Sequence, residues 1–367
     1  MTLITSLANM VFSSELPDLT FSTPSEKVNV ELQSDGATVF ETSLYAYGDS
    51  VTICDLREII EGEMDAVGLS YMPFTLVLTG DSNDSLQKDF SVVYCSKRIE
   101  TPAQEWVRSH FLTTLAARRT TRQAWEALPF FAIEGEDITE HYKVTLRYGK
   151  IYRTIDFNSQ RQEQEDTGVC YLVVGHAFIK NLVSSLELEG NIDIDPEIAN
   201  SPDEIVAWTV SVGERVASYY LDEAETEISM MFRNCFNASD FAHFNGTTTA
   251  KSKLTKSEAM ASHIARYYDF RLEKTFEVTT GPLTREEALW LEQLTLSHSV
   301  RLVRQDTINQ DLFPLILISD SDVSISDDDR NVNKITFTWR FADDRDHLPI
   351  EQPSADIFKI QFDKTFK

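Results

Sequence analysis

The chain has 367 residues, 59 acidic against 33 basic, and a formal charge of −26. Hydrophobic residues make up 42% and aromatic residues 11%, enough for packed cores, so general disorder is excluded and two or three domains are expected. An excess of acid this large repels nucleic acid rather than binding it, and its ordinary role is solubility.

The N-terminal stretch MTLITSLANMVFSSELPDL has no basic segment and no continuous apolar core, and Glu15 and Asp18 come early. No secretion signal is expected there, and no run long enough to span a membrane occurs in the chain. Residues 26–99 read as short strands. Val28, Val30 and Leu32 alternate with polar neighbours, as do Phe74, Leu76 and Leu78, and then Phe90, Val92 and Tyr94. Turn signals separate them at Ser34-Asp35-Gly36 and from Gly80 to Ser85, and a short helix is expected from Asp55 to Glu63. This is the pattern of antiparallel sheets stacked as a sandwich.

A longer helix is predicted next. Thr101 suits an N-cap, Pro102 the first helical position, and Gln104 can close a capping box. Ala103, Val107, Phe111 and Leu115 then form one apolar stripe, with Arg108, Arg118, Arg119 and Arg122 mostly off it. The basic cluster Arg118-Arg119-Thr120-Thr121-Arg122 reads as the solvated C-terminal end of that helix, or as a contact for an acidic neighbouring subunit. From 143 the pattern returns to strands. Val144–Tyr148 and Ile151–Phe157 flank Gly149-Lys150, a two-residue hairpin signal. Residues 158–168 form a polar loop or arm. Residues 169–175 and 182–188 are read as apolar strands, and 192–203 as an acidic connector. Ile205–Val212, Arg215–Leu221 and Glu227–Phe232 resume the alternation.

In the last third, Phe270, Leu272, Phe276 and Val278 share a face, and Gly281-Pro282 ends their strand. Thr284 and Glu287 form a second capping box before a helix with Ala288, Leu291 and Leu294 on its apolar side. Pro314 precedes a buried Leu-Ile-Leu-Ile strand. Ile335, Phe337, Trp339 and Phe341 line one face of the closing strand. The reading is a mainly β fold of β-sandwich modules with a few capped helices, a multidomain α+β chain. Its expected parts are an N-terminal β-sandwich-like domain at 1–99, a helical segment at 100–128, a central β domain at 129–230, and a C-terminal β module with one helix at 231–367.

Chemistry-bearing motifs are scarce. Nucleophile elbow, phosphate loop, dinucleotide fingerprint and zinc-protease helix are all missing from the sequence. Seven histidines, His110, His141, His176, His243, His263, His298 and His347, are scattered. Cys54, Cys95, Cys170 and Cys235 lie far apart beside apolar runs, which suggests buried thiols rather than zinc ligands. Asp320, Asp322 and Ser324 echo a calcium loop, but Ile325 stands where glycine is needed and Asn331 where the bidentate acid is needed. A solvated acidic hairpin fits better. No catalytic, cofactor-binding or metal-binding residue is assigned, and no enzyme activity is expected.

Three blocks resemble a known family. FRNCFNASDFAHFNGTTT from Phe232 is similar to its Asn-rich turn after a hydrophobic strand, followed by an aromatic and a Gly-Thr stretch. VTTGPLTREEALWLEQLTLSHSV from Val278 is similar to its strand, glycine turn and capped helix. PLILISDSDVSISDDD followed by KITFTWRFAD is similar to its closing strand pair. The family is that of tail and baseplate structural proteins of tailed bacteriophages and prophages of Bacteroides-type bacteria. The resemblance implies a virion subunit that assembles into a ring or tube, with copies of itself and other tail proteins as partners. DNA would then be a passenger repelled from an acidic lumen, and the protein would sit in the virion tail after assembly in the host cytoplasm. A second reading is a carbohydrate- or cell-surface-binding β-sandwich with Trp208, Tyr219 and Tyr220 as candidate platform residues, though their alternation favours core positions, and a third is a hydrolase using two carboxylates.

Overall fold

A computed structural model of the protein describes residues 1–133, 135–136, 138–159, 168–188, 204–222, 228–261, 263–303, 313–327 and 332–343. The first part of the chain runs β1 (Thr2–Leu3), β2 (Met10–Phe12), β3 (Leu19–Ser22), β4 (Lys27–Ser34), β5 (Ala37–Tyr45), β6 (Ser50–Ile53), α1 (Leu56–Val67), β7 (Tyr71–Gly80) and β8 (Ser85–Val93). These strands form a five-stranded sheet, β2-β8-β7-β4-β5, and a three-stranded sheet, β1-β3-β6. The alternation read from sequence fixes the faces: Val28, Val30, Leu32, Phe74, Leu76 and Leu78 are all buried. Between β4 and β5, Asp35 and Gly36 both take positive φ, +49° and +78°, as a tight hairpin with the right strand twist requires. On α1, Leu56, Ile60 and Met64 fall on one side and enter the core shared by the two sheets.

The expected helix from 101 to about 115 is much shorter. α2 covers Ala103–Ser109 only, Pro102 is its N-cap residue, and no side chain caps it. His110 is already extended. The four apolar residues of the stripe are buried as predicted, but in three different places. Ala103 and Val107 enter a junction cluster with Phe12, Cys95 and Phe236. Phe111 enters the central core and Leu115 the C-terminal core. A straight helix cannot reach three cores, so tertiary burial overrides local helix preference. The chain continues as β9 (Ala117–Thr120), so Arg118 and Arg119 lie on a strand rather than at a helix end.

The central part holds β10 (Ala127–Ala132), β11 (Glu140–Tyr148), β12 (Ile151–Ser159), β13 (Gly168–Val173), α3 (His176–Leu188), β14 (Glu204–Val212) and β15 (Arg215–Leu221). β10 pairs with β13, and a five-stranded sheet has the order β12-β11-β14-β15-β9, with β9 parallel to β15. Gly149 begins the β11–β12 turn at φ +60°, confirming the hairpin signal. Residues 182–188, expected as a strand, are the second half of α3. Ile179 and Val183 are buried four residues apart, a helical spacing that the short apolar run concealed. Most of the expected 158–168 loop and all of the 192–203 connector lie outside the described residues.

The last part comprises β16 (Ile228–Arg233), β17 (Ser239–Phe244), β18 (Gly246–Ala261), β19 (Ile264–Thr280), α4 (Arg285–Leu296), β20 (Val300–Leu302), β21 (Leu315–Ser324) and β22 (Lys334–Phe341). Its seven-stranded sheet has the order β17-β16-β20-β21-β22-β19-β18. Ala288, Leu291 and Leu294 of α4 are buried, as are Ile335, Phe337 and Trp339 of β22. Leu315 and Leu317 are more than one-third exposed while Ile316 is buried, so β21 hides one face and not both. The mainly β, multidomain reading therefore holds.

The second capping box is formed as expected. Thr284 Oγ1 accepts from the Glu287 N–H at 3.1 Å, and Glu287 Oε2 accepts from the Thr284 N–H at 2.8 Å. The same carboxylate takes a two-pronged bond from Arg119, Nε to Oε1 and Nη2 to Oε2, both at 2.7 Å. Burial works against the Glu287 charge, but Arg119 and the helix start together hold its pKa below the ordinary value. Glu287→Ala removes the cap and the β9–α4 tie together. Urea denaturation should show a loss of about 1–3 kcal/mol, and a loss under about 0.5 kcal/mol would rank the tie as ornamental.

Candidate functional site

The polar groups of the chain converge on the turn between β16 and β17. Asn234 and Asn237 are buried there, as is Asp240 at the start of β17. Asp240 accepts from Arg118 Nη1 at 2.7 Å, Thr113 Oγ1 at 2.8 Å, Trp290 Nε1 at 2.9 Å and Asn234 Nδ2 at 3.3 Å. Arg118 donates further to the Leu115 carbonyl and to Thr113 Oγ1, and its guanidinium lies 4.8 Å over the Trp290 ring. The basic cluster predicted at a solvated helix end therefore has its first arginine in the interior, 3% exposed. Arg119 is spent on Glu287, and Arg122 pairs with Glu204. Arg118 is internal wiring, while Arg119 and Arg122 stay about half exposed in pairs within the chain.

The hub also joins the first sheet to the last. Asn237 Nδ2 donates to the carbonyls of Met64 and Leu69, each at 3.2 Å, satisfying the end of α1. Asn234 Nδ2 donates to the Leu112 carbonyl at 2.7 Å. A second buried arginine, Arg215, holds α2 against the central sheet. Its Nε donates to the Val107 carbonyl, Nη2 to the Phe131 carbonyl, and Nη1 to Glu136 Oε1, each at 2.8 Å.

Glu126 and His243 stand beside this network without a charge partner at bonding distance. The Glu126 carboxyl is 3.8 Å from Arg118 Nη1 and 3.5 Å from His243 Nε2. Burial pushes its pKa up to about 8, with Arg118 pulling the other way. Burial also lowers His243 to about 4. Neutral His243 donates from Nε2 to the Trp125 carbonyl at 2.9 Å and accepts on Nδ1 from Ser229 Oγ at 2.7 Å. A carboxylic acid and a histidine in contact invite an acid–base reading. The cavity alongside, lined by Arg118, Thr120, His243, Asn245 and Trp290, has a volume of about 80 Å³. That is room for a few water molecules rather than a substrate. The sequence signal for Glu126 was a single acid inside the run Ala124-Trp125-Glu126-Ala127-Leu128, and Arg215 gave no signal beyond opening a strand.

Other sequence candidates fall as follows. Trp208 and Tyr219 are buried and stacked at 5.4 Å, with Tyr220 alone exposed, so they form no aromatic platform. Asp320 and Asp322 lie within β21, paired to Thr338 and Thr336 of β22, in an extended backbone that cannot wrap an ion. The hairpin expected there starts later than the sequence suggested. Among the described residues no group of three or more His, Cys, Asp or Glu is placed to hold a metal. Cys95, Cys170 and Cys235 are buried free thiols, but Cys54 is exposed, contrary to the expectation for all four.

The largest surface feature was missed by sequence. β18 and β19 run as a two-stranded arm, paired to each other from Gly246–Thr280 to Ala261–Ile264. β19 meets β22 only between Phe276 and Thr279. Residues 251–261 therefore carry the arm about 35 Å beyond the sheet, at roughly 3.3 Å per residue. Register places Leu254 opposite Leu272, Lys256 opposite Phe270, Glu258 opposite Tyr267, and Met260 opposite Ala265, all on one face. Phe270 is 74% exposed and Met260 68%. At the root this stripe continues into Phe276, stacked on Trp339 at 4.3 Å. The opposite face carries Lys251, Lys253, Arg271 and Glu273. Phe270, Leu272, Phe276 and Val278 do share a face as predicted, yet only Val278 is buried. The arm escaped notice because Lys251–Ser257 is polar and its partner strand is read correctly only once the register is known.

No family model matches the chain, and neither does any curated protein. Among solved structures, it is similar to a chain from work on host cell-surface retention of a 1.5-MDa bacterial ice-binding adhesin. The identity is 9%, covering 74% of this chain and 87% of that one, at a TM-score of 0.13, a likeness too slight to carry an argument.

The hub generates two predictions. Arg118→Ala strands Asp240 in the interior and should cost about 3–5 kcal/mol in urea unfolding, and a loss below about 1 kcal/mol would mean that water enters freely. For Glu126, the folded chain keeps a proton between pH 4.5 and about 8 that the unfolded chain releases, so its contribution to stability falls as pH rises through that window. Glu126→Gln should remove up to about 1.4 kcal/mol of that loss per pH unit. The variant should gain on wild type from pH 5 to pH 8, and a constant difference would assign the proton elsewhere. His243 acts in the other direction, costing stability as pH falls from 6.5 towards 4.

Proposed function

We propose that the protein is a self-assembling architectural subunit, of the phage tail or baseplate kind that its closing segments resemble. The β18–β19 arm carries the reading. A solvated hairpin with an apolar face is costly to leave bare, and a two-stranded ribbon is marginal alone. A second copy is the favoured occupant because the arm is charged unlike the rest of the chain. Residues 246–280 hold six Lys and Arg against four Asp and Glu, net +2, which leaves −28 for the remainder. An arm of that sign is drawn to the acidic body of another copy and not to its own kind. The outer edge of β18 is unpaired among the described residues, which offers main-chain bonds to the same partner. The acidic body is also suited to a surface past which DNA moves without adhering.

Light scattering after gel filtration, across a concentration series, tests the reading. Wild type should form rings or larger species visible by negative stain, and Phe270→Glu with Leu272→Glu should shift it to monomer without loss of secondary structure. Assembly should also weaken with salt. A monomer at every concentration, unchanged by the arm substitutions, would reject self-assembly.

A further inference from the structure

Two cysteines 140 positions apart meet where the first sheet joins the last. Cys95 follows β8 and Cys235 lies in the β16–β17 turn, both within one buried cluster. The Ser96 N–H donates to the Cys235 carbonyl at 2.9 Å, which sets the two main chains at the separation of neighbouring strands. That separation is within the span of a disulfide. The two thiols are also close enough for each to shift the other's pKa, Cys95 downward and Cys235 upward. The Cys95 sulfur in turn reaches the Lys97 carbonyl at 2.9 Å.

We propose that Cys95 and Cys235 form a site of reversible oxidation, whose disulfide ties the N-terminal sandwich to the C-terminal sheet. Access comes from one side. Cys235 lines an open cleft of about 690 Å³ with Gly68, Lys97, Arg233 and Gln293, wide enough for a small peroxide. The neighbouring Cys235 thiol favours the thiolate on Cys95, while Cys95 and burial disfavour it on Cys235. Hydrogen peroxide is the oxidant class considered. Cys235, the thiol that lines the cleft, gives up its proton and attacks one peroxide oxygen, the O–O bond breaks, and the departing oxygen leaves as water after taking up that proton. The Cys95 sulfur attacks the resulting sulfenic sulfur on Cys235 and forms the S–S bond, and its proton leaves with the hydroxyl as a second water. Two thiols lose two electrons and two protons, and the peroxide is reduced to two waters. A thiol reductant reverses the bond by exchange. The inference is independent of the arm and of assembly.

The test uses the full chain carrying Cys54→Ser, so that the exposed thiol cannot couple two molecules. After peroxide treatment and alkylation in denaturant, mass spectrometry should find a peptide joining Cys95 to Cys235, about 2 Da lighter than the reduced pair. Closing a loop of this length should raise the unfolding temperature by about 5 °C or more, reversibly with dithiothreitol. Cys235→Ser should abolish both effects. The comparison of oxidised and reduced protein needs no second variant if that one fails to fold. Alkylated thiols at both positions, after a dose that oxidises Cys54 in the unsubstituted chain, would overturn the proposal, as would a bridge to Cys170.

Discussion

The buried ion pair between Arg118 and Asp240 is the constraint around which this molecule is arranged. Neither charge tolerates the interior alone, and each is surrounded by groups that neutralise or bond it. Thr113 and Leu115 come from the linker after α2, Trp290 from α4, and Asn234 from the turn just before β17, the strand that holds Asp240. Desolvation offsets much of the Coulombic attraction, so the pair is better understood as a register mark than as a source of stability. It specifies which strand of the linker enters the interior and which helix lies beside it. Once Arg118 is inside, β9 must run next to β15, and Arg119, one residue on and facing the other way, must reach Glu287 at the start of α4.

The same logic explains why Glu126 and His243 are both neutral next to this pair. Arg118 already has its carboxylate in Asp240, and a second anion in the same interior has no full counter-charge. A proton on the Glu126 carboxyl and none added to the imidazole are the forms that burial favours. The cluster resembles catalytic equipment in its residue types and differs from it in access.

The arm is the inverse case. The hub turns Arg118 and Asp240 toward each other inside the body, whereas β18 and β19 leave the sheet after a few residues and carry aromatic and aliphatic side chains into water. Phe276 on Trp339 anchors the root, and the stripe from Leu272 to Met260 continues the core's own chemistry outward. The proposed self-assembly rests on this contrast between an acidic body and a mildly basic, half-apolar arm.

Local order was legible in the sequence because it depends on near neighbours. The alternation of Val28, Val30 and Leu32, the Asp35-Gly36 and Gly149-Lys150 turns, and the Thr284–Glu287 box each state a backbone conformation through residues that touch one another. The four-residue spacing from Ala103 to Leu115 also told the truth about burial, but not about helix, since periodicity says that a side chain is hidden and not what hides it. Arg118 could not be placed from its surroundings, because the carboxylate that admits it to the interior lies 122 residues away. The Cys95–Cys235 contact and the exposed face of β19 have the same origin. What the sequence by itself determined was most of the strands, the hairpin turns, the capped start of α4 and which side chains shun water. Only the tertiary structure decided which charges are internal and which apolar face stays bare, because both depend on partners that chain folding brings together over long distances.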